Sequence, residues 1–473
     1  MSVRYEPVIG LEIHAQLLTE SKIFCCCSTA FGAEPNTHIC PVCIGLPGAL
    51  PVLNRRAVDY AIRAALSLGC TIHETSIFAR KNYFYPDLPK GYQISQYEQP
   101  LATDGVFDGV GIIRVHLEED AGKSLHEGFV DSVRKTYVDY NRSGVPLIEI
   151  VTHPHLRSAS AASDFFSRLR ETLVWLGVND GNMEEGSLRC DANVSVRPER
   201  TTALGTKAEV KNLNSFRFLQ KALEYEIDRQ IDVLREGGRV VQETRLWDSS
   251  AGRTVSMRSK EEAHDYRYFP EPDLPPLVVD AARVDAIRAA MPELPDARRR
   301  RFVEQYALPE YDAAQLTQSR ALADYFEATI AAGAAAKPAS NWIMGELARR
   351  LKEIGTTVAA SPLSPERLAG LVVLIDKGTI SGSIAKDVFE KMFATQRAAG
   401  DIVAAEGLRQ ISDESQIIGL IADVLAKHAD AVAQYRAGKT ATFGFLVGQV
   451  MKAAGGKANP KRVNDLLKQA LGA

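Results

Sequence analysis

Residues 5–17, YEPVIGLEIHAQL, determine the fold that we predict for the N-terminal part of this chain. In an extended strand, successive side chains point to opposite faces. One face then carries the branched apolar residues that suit a core, namely Ile9, Leu11 and Ile13. The other face carries Glu12 and His14, which could hold a hard cation or act in acid–base chemistry. A half-exposed polar surface would show the same pattern.

Three similar runs follow this strand, each bounded by turn-forming residues. They are GIIRVHLEED (111–120), GVPLIEIVT (144–152) and CDANVSVRP (190–198). Apolar residues at three- and four-residue spacing predict two helices among these strands, over 55–68 and 158–176. This mixture of strands and helices predicts an α+β body.

The chain changes character near residue 293. After MPELPDARRRR it is rich in alanine and predicts helices over 296–306, 312–332, 338–353, 365–375 and 382–397. Residues 401–407 have the composition of a linker, and short helices follow them. We therefore expect three parts, which are an α+β body over 1–293, a helical domain over 294–405 and a small helical tail over 406–473.

The overall charge gives the chain no general attraction to nucleic acid. Its 473 residues include 56 Lys and Arg against 59 Asp and Glu, so the formal net charge is −3. A nucleic-acid site would therefore need a local basic patch. No apolar run approaches the ~18 residues of a membrane span, and the N-terminus resembles neither a signal peptide nor a transit peptide. We expect a cytoplasmic protein.

A local basic patch lies near the C-terminus. Residues 434–473 contain seven Lys or Arg and a single acid, Asp465. Lys457, Lys461 and Arg462 lie around a Gly-Gly break and an Asn-Pro step. Exposed backbone N–H groups beside cations favour contact with phosphate. A solvated helical surface is the alternative interpretation.

Four of the seven cysteines lie in two short clusters, Cys25-x-Cys27 and Cys40-x-x-Cys43. Two thiolate pairs at these spacings match a tetrahedral Zn²⁺ site with Zn–S distances of ~2.3 Å. Cys26 would then be a spacer that points away. Such a closed site would be structural and would hold together a loop-rich insert near 25–43. The alternative is a group of reduced core thiols.

Further carboxylates occur at or inside the predicted strands. Glu118, Glu119 and Asp120 end the first run, and Asp191 lies in the third. Glu149 lies within an apolar strand, where a carboxylate is costly unless it is paired or bound to a cation. Several such acids could converge on Mg²⁺, which takes one or two carboxylates and leaves positions for phosphate oxygens.

The sequence has no recognised phosphate-binding loop. The segment EDAGKS would need glycine at position 117 to complete a Walker pattern, and the chain has Leu117 there. Two cation-rich segments could contact a nucleotide instead, RKNYFY (80–85) and EVKNLN (209–214). For the first, an aromatic hairpin turn is the alternative.

Long blocks of the sequence resemble the GatB/GatE family, the B subunits of bacterial tRNA-dependent amidotransferases and their archaeal relatives. The resemblance covers essentially the whole chain, from the first strand to the tail. The blocks that carry it are GLEIHAQL, CPVCIGLPGALPVLN, RKNYFYPDLPKGYQISQ, HLEEDAGKS, NRSGVPLIEIV, EEGSLRCDANVSVRP, EVKNLNSF, DYRYFPEPDLPP and FLVGQVMKAAGGKANP.

This resemblance implies a two-step reaction on misacylated tRNA. In the family, the γ-phosphoryl group of ATP is transferred to the side-chain carboxylate of Glu on tRNA(Gln) or Asp on tRNA(Asn). Ammonia that the amidase (the A subunit) releases from glutamine then displaces the phosphate, and a small C subunit holds the two larger subunits together. The chain would be an ATP-dependent carbon–nitrogen ligase, with a catalytic cradle around an antiparallel sheet and a tRNA-binding tail.

The resemblance also implies which residues form the site. The Mg²⁺ cradle carries over to Glu12, His14 and Glu119, with Glu118 as a less favoured neighbour, and Glu149 joins the catalytic set. Residues implied near the nucleotide and the tRNA acceptor end are Lys81, Tyr83, Glu185, Asp191, Lys211 and Asn212. Family members differ at the four cysteines, so zinc is expected as a property of this branch.

A second function class is a zinc-bound scaffold that holds tRNA while its partners do all the chemistry. The acids at Glu12, Glu119 and Glu149, together with His14, favour the enzyme over the scaffold. A scaffold has no reason to place a carboxylate in an apolar strand.

Overall fold

The protein is described here by a computed structural model of the 473-residue chain. The described residues are 3–126, 131–132, 134–257, 266–409, 414–455 and 457–472. The chain divides into two compact units, Met1–Leu294 and Pro295–Ala473. The first unit is built on sheets and the second is helical, so the predicted α+β class is confirmed.

The strands of the first unit, within the described residues, carry the labels used below. They are β1 (Tyr5–Gln16), β2 (Thr71–Ile72), β3 (Thr75–Ser76), β4 (Ala79–Asn82), β5 (Tyr92–Ser95), β6 (Ala102–Phe107), β7 (Val110–Glu119), β8 (Lys123–Leu125), β9 (Tyr137–Asp139), β10 (Pro146–Thr152), β11 (Leu188–Pro198), β12 (Ala208–Lys211), β13 (Thr244–Asp248), β14 (Arg253–Ser256), β15 (Phe269–Pro270) and β16 (Leu277–Val278).

Among the described residues, four helices belong to the first unit and the others to the second. They are α1 (Arg55–Ser67), α2 (Ala159–Trp175), α3 (Phe216–Arg235), α4 (Ala281–Ala289), α5 (Pro295–Tyr306), α6 (Glu310–Leu316), α7 (Arg320–Ala331), α8 (Ala336–Trp342), α9 (Ala348–Glu353), α10 (Pro365–Asp376), α11 (Gly382–Thr395), α12 (Ala399–Ala405), α13 (Glu414–Lys427), α14 (Ala429–Arg436), α15 (Thr442–Ala453) and α16 (Pro460–Leu471). A π-helical turn, Ile343–Leu347, joins α8 to α9, and Val358–Ala360 form a 3₁₀ turn.

A nine-stranded sheet organises the first unit, with the strand order β14-β13-β12-β11-β1-β10-β7-β6-β2. Its pairs are antiparallel except for the parallel pair of β12 with β13. Strand β1 lies at the centre, between β10 and β11. One of its faces is fully buried through Ile9, Leu11 and Ile13, which are at most 1% exposed, so the predicted alternation is confirmed.

Helix α3 was missed at the level of sequence. Its buried residues recur at helical spacing, and they are Leu219, Ala222, Leu223, Glu226 and Gln230. Two of these, Glu226 and Gln230, are polar. Glu226 is buried because it accepts hydrogen bonds from Arg229 and Thr254 and is paired with Arg245. Two of these partners come from other parts of the chain, so an apolar-spacing rule does not detect this helix.

Two predictions for the helical unit are also corrected. The single helix predicted over 312–332 is interrupted, because the Ser319 hydroxyl accepts from the backbone N–H of Leu322 and starts a new helix, α7. Residues 401–407, predicted as a linker, lie mostly in α12, whose buried Ile402 and Val403 hold it in a core. The linker prediction was wrong because these two buried apolar residues are enough to pack the helix against the core.

The C-terminal helices share a core of their own. Residues from α13, α15 and α16 meet in it, chiefly the fully buried Ile417, Leu446, Val450, Val463 and Leu467. The further boundary near residue 405, between a helical domain and a tail, stays a prediction. Among the described residues, no helix combines the length and the apolar character that crossing a bilayer requires.

Candidate functional site

The polar face of the central strands carries a row of four facing residues. Cross-strand pairing places Arg189 of β11 opposite His14 of β1, His14 opposite Glu149 of β10, and Glu149 opposite His116 of β7. The neighbouring row contains Glu12, which lies opposite Asp191. Side chains directly opposite one another in antiparallel strands lie on the same face. Four separate parts of the sequence therefore meet in one cluster.

His14 lies at the centre of this cluster. Its Nε2 atom is 3.5 Å from Glu149 Oε2, 3.8 Å from Glu118 Oε1 and 3.8 Å from Glu12 Oε1. Ligand atoms of His14, Glu118 and Glu149 lie within 4.8 Å of one another, and the same holds for Glu12, His14 and Asp191. Oxygen and imidazole nitrogen atoms at these separations fit one or two divalent cations.

The charges within the cluster shift its pKa values. Burial alone would lower the pKa of His14, but its contact with Glu149 and the charge of Glu118 raise that pKa to about 8. Burial would raise the pKa of Glu149, yet the charge of His116 and the contact with His14 hold it well below its usual range. Burial and the charge of Glu149 raise the pKa of Glu12. The raised pKa of Glu12 reflects carboxylates crowded on one face, where a cation would be favourable.

His116 is a member of the site that was not predicted from the sequence. It is 2% exposed, and its Nε2 lies 3.5 Å from Glu149 Oε2 and 3.7 Å from Glu118 Oε2. Arg114, two residues earlier on β7, lies with Nη2 3.5 Å from Glu149 Oε1. Arg114, His116 and Glu118 alternate along GIIRVHLEED, so the period-2 pattern could have found them.

Glu119 corrects the predicted metal cradle. The prediction placed it with Glu12 and His14 and gave Glu118 the lesser role, and the side chains show the reverse grouping. Because neighbouring residues of a strand point to opposite faces, Glu119 turns away and pairs with Lys90, and its Oε1 accepts from the backbone N–H of Ile94 at 2.9 Å. It lines a cavity of about 330 Å³.

Lys81 and Tyr83 lie beside the acidic cluster, among aromatic rings. Lys81 Nζ lies 4.9 Å from the ring centre of Tyr266 and 5.9 Å from that of Tyr83. Burial and the charge of Glu118 raise the pKa of the Tyr83 phenol. Cations over ring faces are favourable, so this side of the site combines stacking surface with positive charge.

Lys211 and Asp191 extend the cluster on its other side. Lys211 Nζ lies 2.9 Å from Asp191 Oδ2 and 3.0 Å from Glu209 Oε1. The adjacent Asn212 has φ of 68° and donates from Nδ2 to the carbonyl oxygen of Trp247 at 3.0 Å. Its side chain therefore stabilises a turn. Glu185 is exposed and lines a separate cavity of about 140 Å³.

The four clustered cysteines converge in the structure. The Sγ atoms of Cys25, Cys27, Cys40 and Cys43 lie within 4.8 Å of one another, and Cys26 is exposed. The Sγ atoms of Cys40 and Cys43 are 3.9 Å apart, close to the ~3.8 Å edge of a tetrahedron with Zn–S bonds of ~2.3 Å. A hydrogen bond from Cys25 lowers the pKa of Cys43 to about 4. These four thiols fit a zinc ion.

Comparison with known proteins gives the same family over both units. Residues 7–285 match the model of the GatB/GatE catalytic domain, and residues 324–471 match that of the GatB domain. The chain is 57% identical to the B subunit of the aspartyl/glutamyl-tRNA(Asn/Gln) amidotransferase of Myxococcus xanthus, over 99% of both chains. It is 55% identical to the same protein of Geotalea uraniireducens and 54% identical to that of Carboxydothermus hydrogenoformans, over 99% of this chain in each case.

The chain belongs to the GatB/GatE family. The predicted resemblance is thereby confirmed. The acid–imidazole cluster and the four cysteines lie within the match to the GatB/GatE catalytic domain, and the basic tail residues lie within the match to the GatB domain.

The tail cations of this GatB/GatE chain differ in their surroundings. Lys457 Nζ donates to the carbonyl oxygen of Gly407 at 2.8 Å, and Arg462 is paired with Glu414. Lys461 is exposed at the start of α16. Glu414 lies outside the segment whose charge was counted in the sequence, so the available positive charge is smaller than that count.

The ion pairs of Asp120 should make the stability of this GatB/GatE chain sensitive to acid. Burial would raise the pKa of Asp120, but the charges of Arg189 and Arg142 and a 2.7 Å hydrogen bond from Gln16 lower it to about 2. The folded pKa lies below the usual Asp value of about 3.9. The carboxylate therefore stabilises the fold above about pH 4, and this stability is lost as the pH falls towards about 2.

We predict a pH-dependent difference between wild type and Asp120→Asn. The difference in the free energy of unfolding should include a contribution of about 2 kcal/mol above about pH 5 that falls to roughly half at about pH 3. Urea titrations at several pH values measure it. Parallel stability profiles of the two proteins across this pH range would contradict the assigned role of Asp120.

Proposed function

We propose that this chain is the catalytic B subunit of a tRNA-dependent amidotransferase. It would use ATP to phosphorylate the side-chain carboxylate of Glu on tRNA(Gln) or Asp on tRNA(Asn). Ammonia from glutamine would then replace the phosphate and give Gln-tRNA(Gln) or Asn-tRNA(Asn). The curated relatives carry both aspartyl/glutamyl and Asn/Gln in their names, which supports both substrates for this chain.

The cluster around His14 is the observation that carries this proposal. Glu118 and Glu149 are 2% and 5% exposed, and they face His14 and His116 on a rigid sheet. Buried carboxylates without a cation would cost stability. A passive tRNA scaffold would have no use for such a cluster, so the arrangement supports an enzyme.

The donor set fits Mg²⁺ through Glu12, His14, Glu118 and Glu149, with Asp191 beside Glu12. When bound there, Mg²⁺ would supply positive charge beside the phosphate oxygens of ATP. The chain's own residues would fix the positions of the substrates, because phosphoryl transfer depends on positioning and charge rather than on a protein nucleophile. Lys81 and the rings beside it would line the approach of the nucleotide and the tRNA acceptor end.

The second step needs ammonia and a leaving group. Transfer of the γ-phosphoryl group leaves ADP and an acyl phosphate on the amino acid. The nitrogen of ammonia then bonds to the carbonyl carbon, the carbon–oxygen bond to phosphate breaks, and a proton leaves the nitrogen. We propose that an amidase, the A subunit, supplies the ammonia and that a small C subunit is the third member of the complex. The subunit designation in the names of the relatives supports a complex of this kind.

Glu12→Gln tests the catalytic cluster. The amide keeps the size of the side chain but removes its charge, so the protein should fold and bind tRNA. It should lose tRNA-dependent ATP cleavage by roughly 10²-fold or more, since charge stabilisation in the transition state contributes several kcal/mol. Release of phosphate by the complex with the amidase and the small C subunit measures this step. Undiminished ATP cleavage would remove Glu12 from the mechanism.

Adjacent residues provide a matched control for the corrected cradle. Glu118 faces His14, whereas Glu119 faces Lys90 on the other side of the strand. Glu118→Gln should therefore lower tRNA-dependent ATP cleavage as Glu12→Gln does, and Glu119→Gln should leave this step nearly unchanged. The opposite pattern would restore the cradle that the sequence predicted.

We also propose that Cys25, Cys27, Cys40 and Cys43 hold one structural Zn²⁺. Four thiolates leave no open position for a substrate, so the site would stabilise its segment and take no part in the reaction. Protein purified without chelators should contain one zinc per chain by elemental analysis. Cys27→Ser should lose the metal and Cys26→Ser should keep it. Equal zinc content in both variants would exclude this ligand set.

Finally, we propose that Lys457, Lys461 and Arg462 contact the phosphate backbone of tRNA. Each phosphate contact releases counterions, so replacing all three with Ala should weaken tRNA binding and reduce the slope of log K against log salt by about 2–3. The apparent KM for tRNA should rise, while kcat at saturating tRNA stays near normal.

The Glu414→Gln variant should change tRNA affinity in the opposite direction to the triple Ala variant. Removing the carboxylate frees the guanidinium of Arg462, so tRNA binding should become tighter. Binding measured between about 50 and 200 mM salt shows both effects. If neither variant changes tRNA affinity, the tail is a solvated surface and the tRNA contacts lie elsewhere.

A further inference from the structure

Arg189 occupies one end of the polar row and was given no role in the prediction from sequence. It lies directly opposite His14 in the register of β11 with β1. Its side chain is 35% exposed, whereas that of its partner Asp120 is 4% exposed. The guanidinium is therefore anchored on its inner side and open on its outer side, beside the proposed Mg²⁺ ligands.

The hydrogen bonds of Arg189 leave much of its donor capacity free. Nη2 donates to Asp120 Oδ1 at 3.0 Å. Within the part of the chain that the structure describes, Nε is buried without a hydrogen-bond partner. A guanidinium presents five N–H donors in a planar fork that matches the oxygens of a phosphate. A buried donor without a partner is costly in the free protein, and the exposed 35% of the side chain offers the donors that a ligand oxygen can reach.

Two other cations around this face are more fully engaged. Lys211 contacts both Asp191 and Glu209. Arg142 donates from Nε and Nη2 to two backbone carbonyl oxygens, at 2.8 and 2.7 Å. These contacts hold both side chains to the protein and leave them less free than Arg189 to bind a ligand.

Arg114 of β7 lies at the end of the neighbouring row, which contains Glu12 and Asp191, and it is paired with an acid of the cluster. Its Nη2 lies 3.5 Å from Glu149 Oε1, and its guanidinium carbon lies 5.8 Å from the ring centre of Tyr97. Its Nε also lacks a hydrogen-bond partner among the described residues. Arg114 therefore neutralises a proposed Mg²⁺ ligand directly, whereas the acid that holds Arg189 is Asp120, which lies outside the proposed ligand set.

We propose that Arg189 binds a phosphate oxygen of ATP through its free guanidinium edge during the phosphoryl-transfer step. This inference rests on the proposed function. The site brings together four carboxylates, and these would repel the negative charge of a triphosphate. A fixed guanidinium beside His14 offsets that repulsion and stabilises the charge that moves onto the phosphate oxygens during transfer. Asp120 holds the arginine in position from behind.

Arg142 provides a matched control because it also contacts Asp120, with Nε 3.7 Å from Oδ2. The experiment compares Arg189→Lys, Arg189→Ala and Arg142→Ala in the full-length chain in complex with the amidase and the small C subunit. ATP affinity is measured by calorimetry without tRNA, and kcat and KM for ATP are measured with misacylated tRNA. Thermal stability is recorded for every variant.

Both Arg189 variants should bind ATP about 10-fold more weakly, because a hydrogen bond to a charged group is lost. Their kcat/KM for ATP should fall by roughly 10²-fold. The lysine should fail to restore activity, since it keeps the charge but lacks the fork, and added guanidinium ion should partly rescue Arg189→Ala. Arg142→Ala should keep ATP affinity and kcat within about twofold of wild type.

Two other results would overturn the inference. Unchanged ATP affinity in both Arg189 variants is one. The other is an equal loss of stability and activity in the Arg189 and Arg142 variants, which would make Arg189 only a structural partner of Asp120. A wild-type complex that cleaves no ATP with misacylated tRNA would instead refute the proposed function. If Arg189→Ala does not fold, Arg189→Lys still tests the inference, because the lysine can keep the ion pair with Asp120 and the protein should therefore fold.

Discussion

The pairing of β1 with β10 and β11 is the constraint on which the site depends. Register in an antiparallel sheet is fixed by the buried face, because a shift of one residue would move every side chain to the opposite face. Here the core side chains Ile9, Leu11 and Ile13 hold that register. The same register brings Glu149 and Arg189 to opposite sides of His14. The same strand register therefore determines both the hydrophobic core on one face of the sheet and the polar cluster on the other.

The polar face balances its charges only in part. Glu118 and Glu149 share the imidazoles of His14 and His116, and these contacts hold the pKa of Glu149 well below its usual range although burial opposes this. Buried carboxylates are costly in a folded protein unless positive charge balances them. Under the proposed function these acids would hold Mg²⁺ beside a nucleotide, which would account for that cost.

Features that local patterns determine could be predicted from the sequence, and features that register determines could not. Alternation within one strand was enough to group Glu12 with His14, and short spacing was enough to find Cys25 and the three other clustered thiols. Alternation along β7 also separates Glu118, which follows Arg114 and His116 on the polar face, from Glu119, and the prediction did not apply it. The pairing of His116 with Glu149 depends on the register of β7 against β10, which no local pattern specifies. Helix α3 was missed because its buried face includes polar residues whose partners are distant in sequence.

The cysteine cluster and the strands that carry the acid–imidazole cluster meet at Gly144, on the turn before β10. Its φ of 85° lies in the left-handed region that favours glycine. A Cβ atom there would lie 3.4 Å from the side chain of Lys22, 3.5 Å from Cys43 Cβ and 3.9 Å from Glu119 Oε2. The segment that carries the four thiols therefore packs directly against the turn that starts β10. This packing is one of the contacts at the start of the strand that brings Glu149 opposite His14.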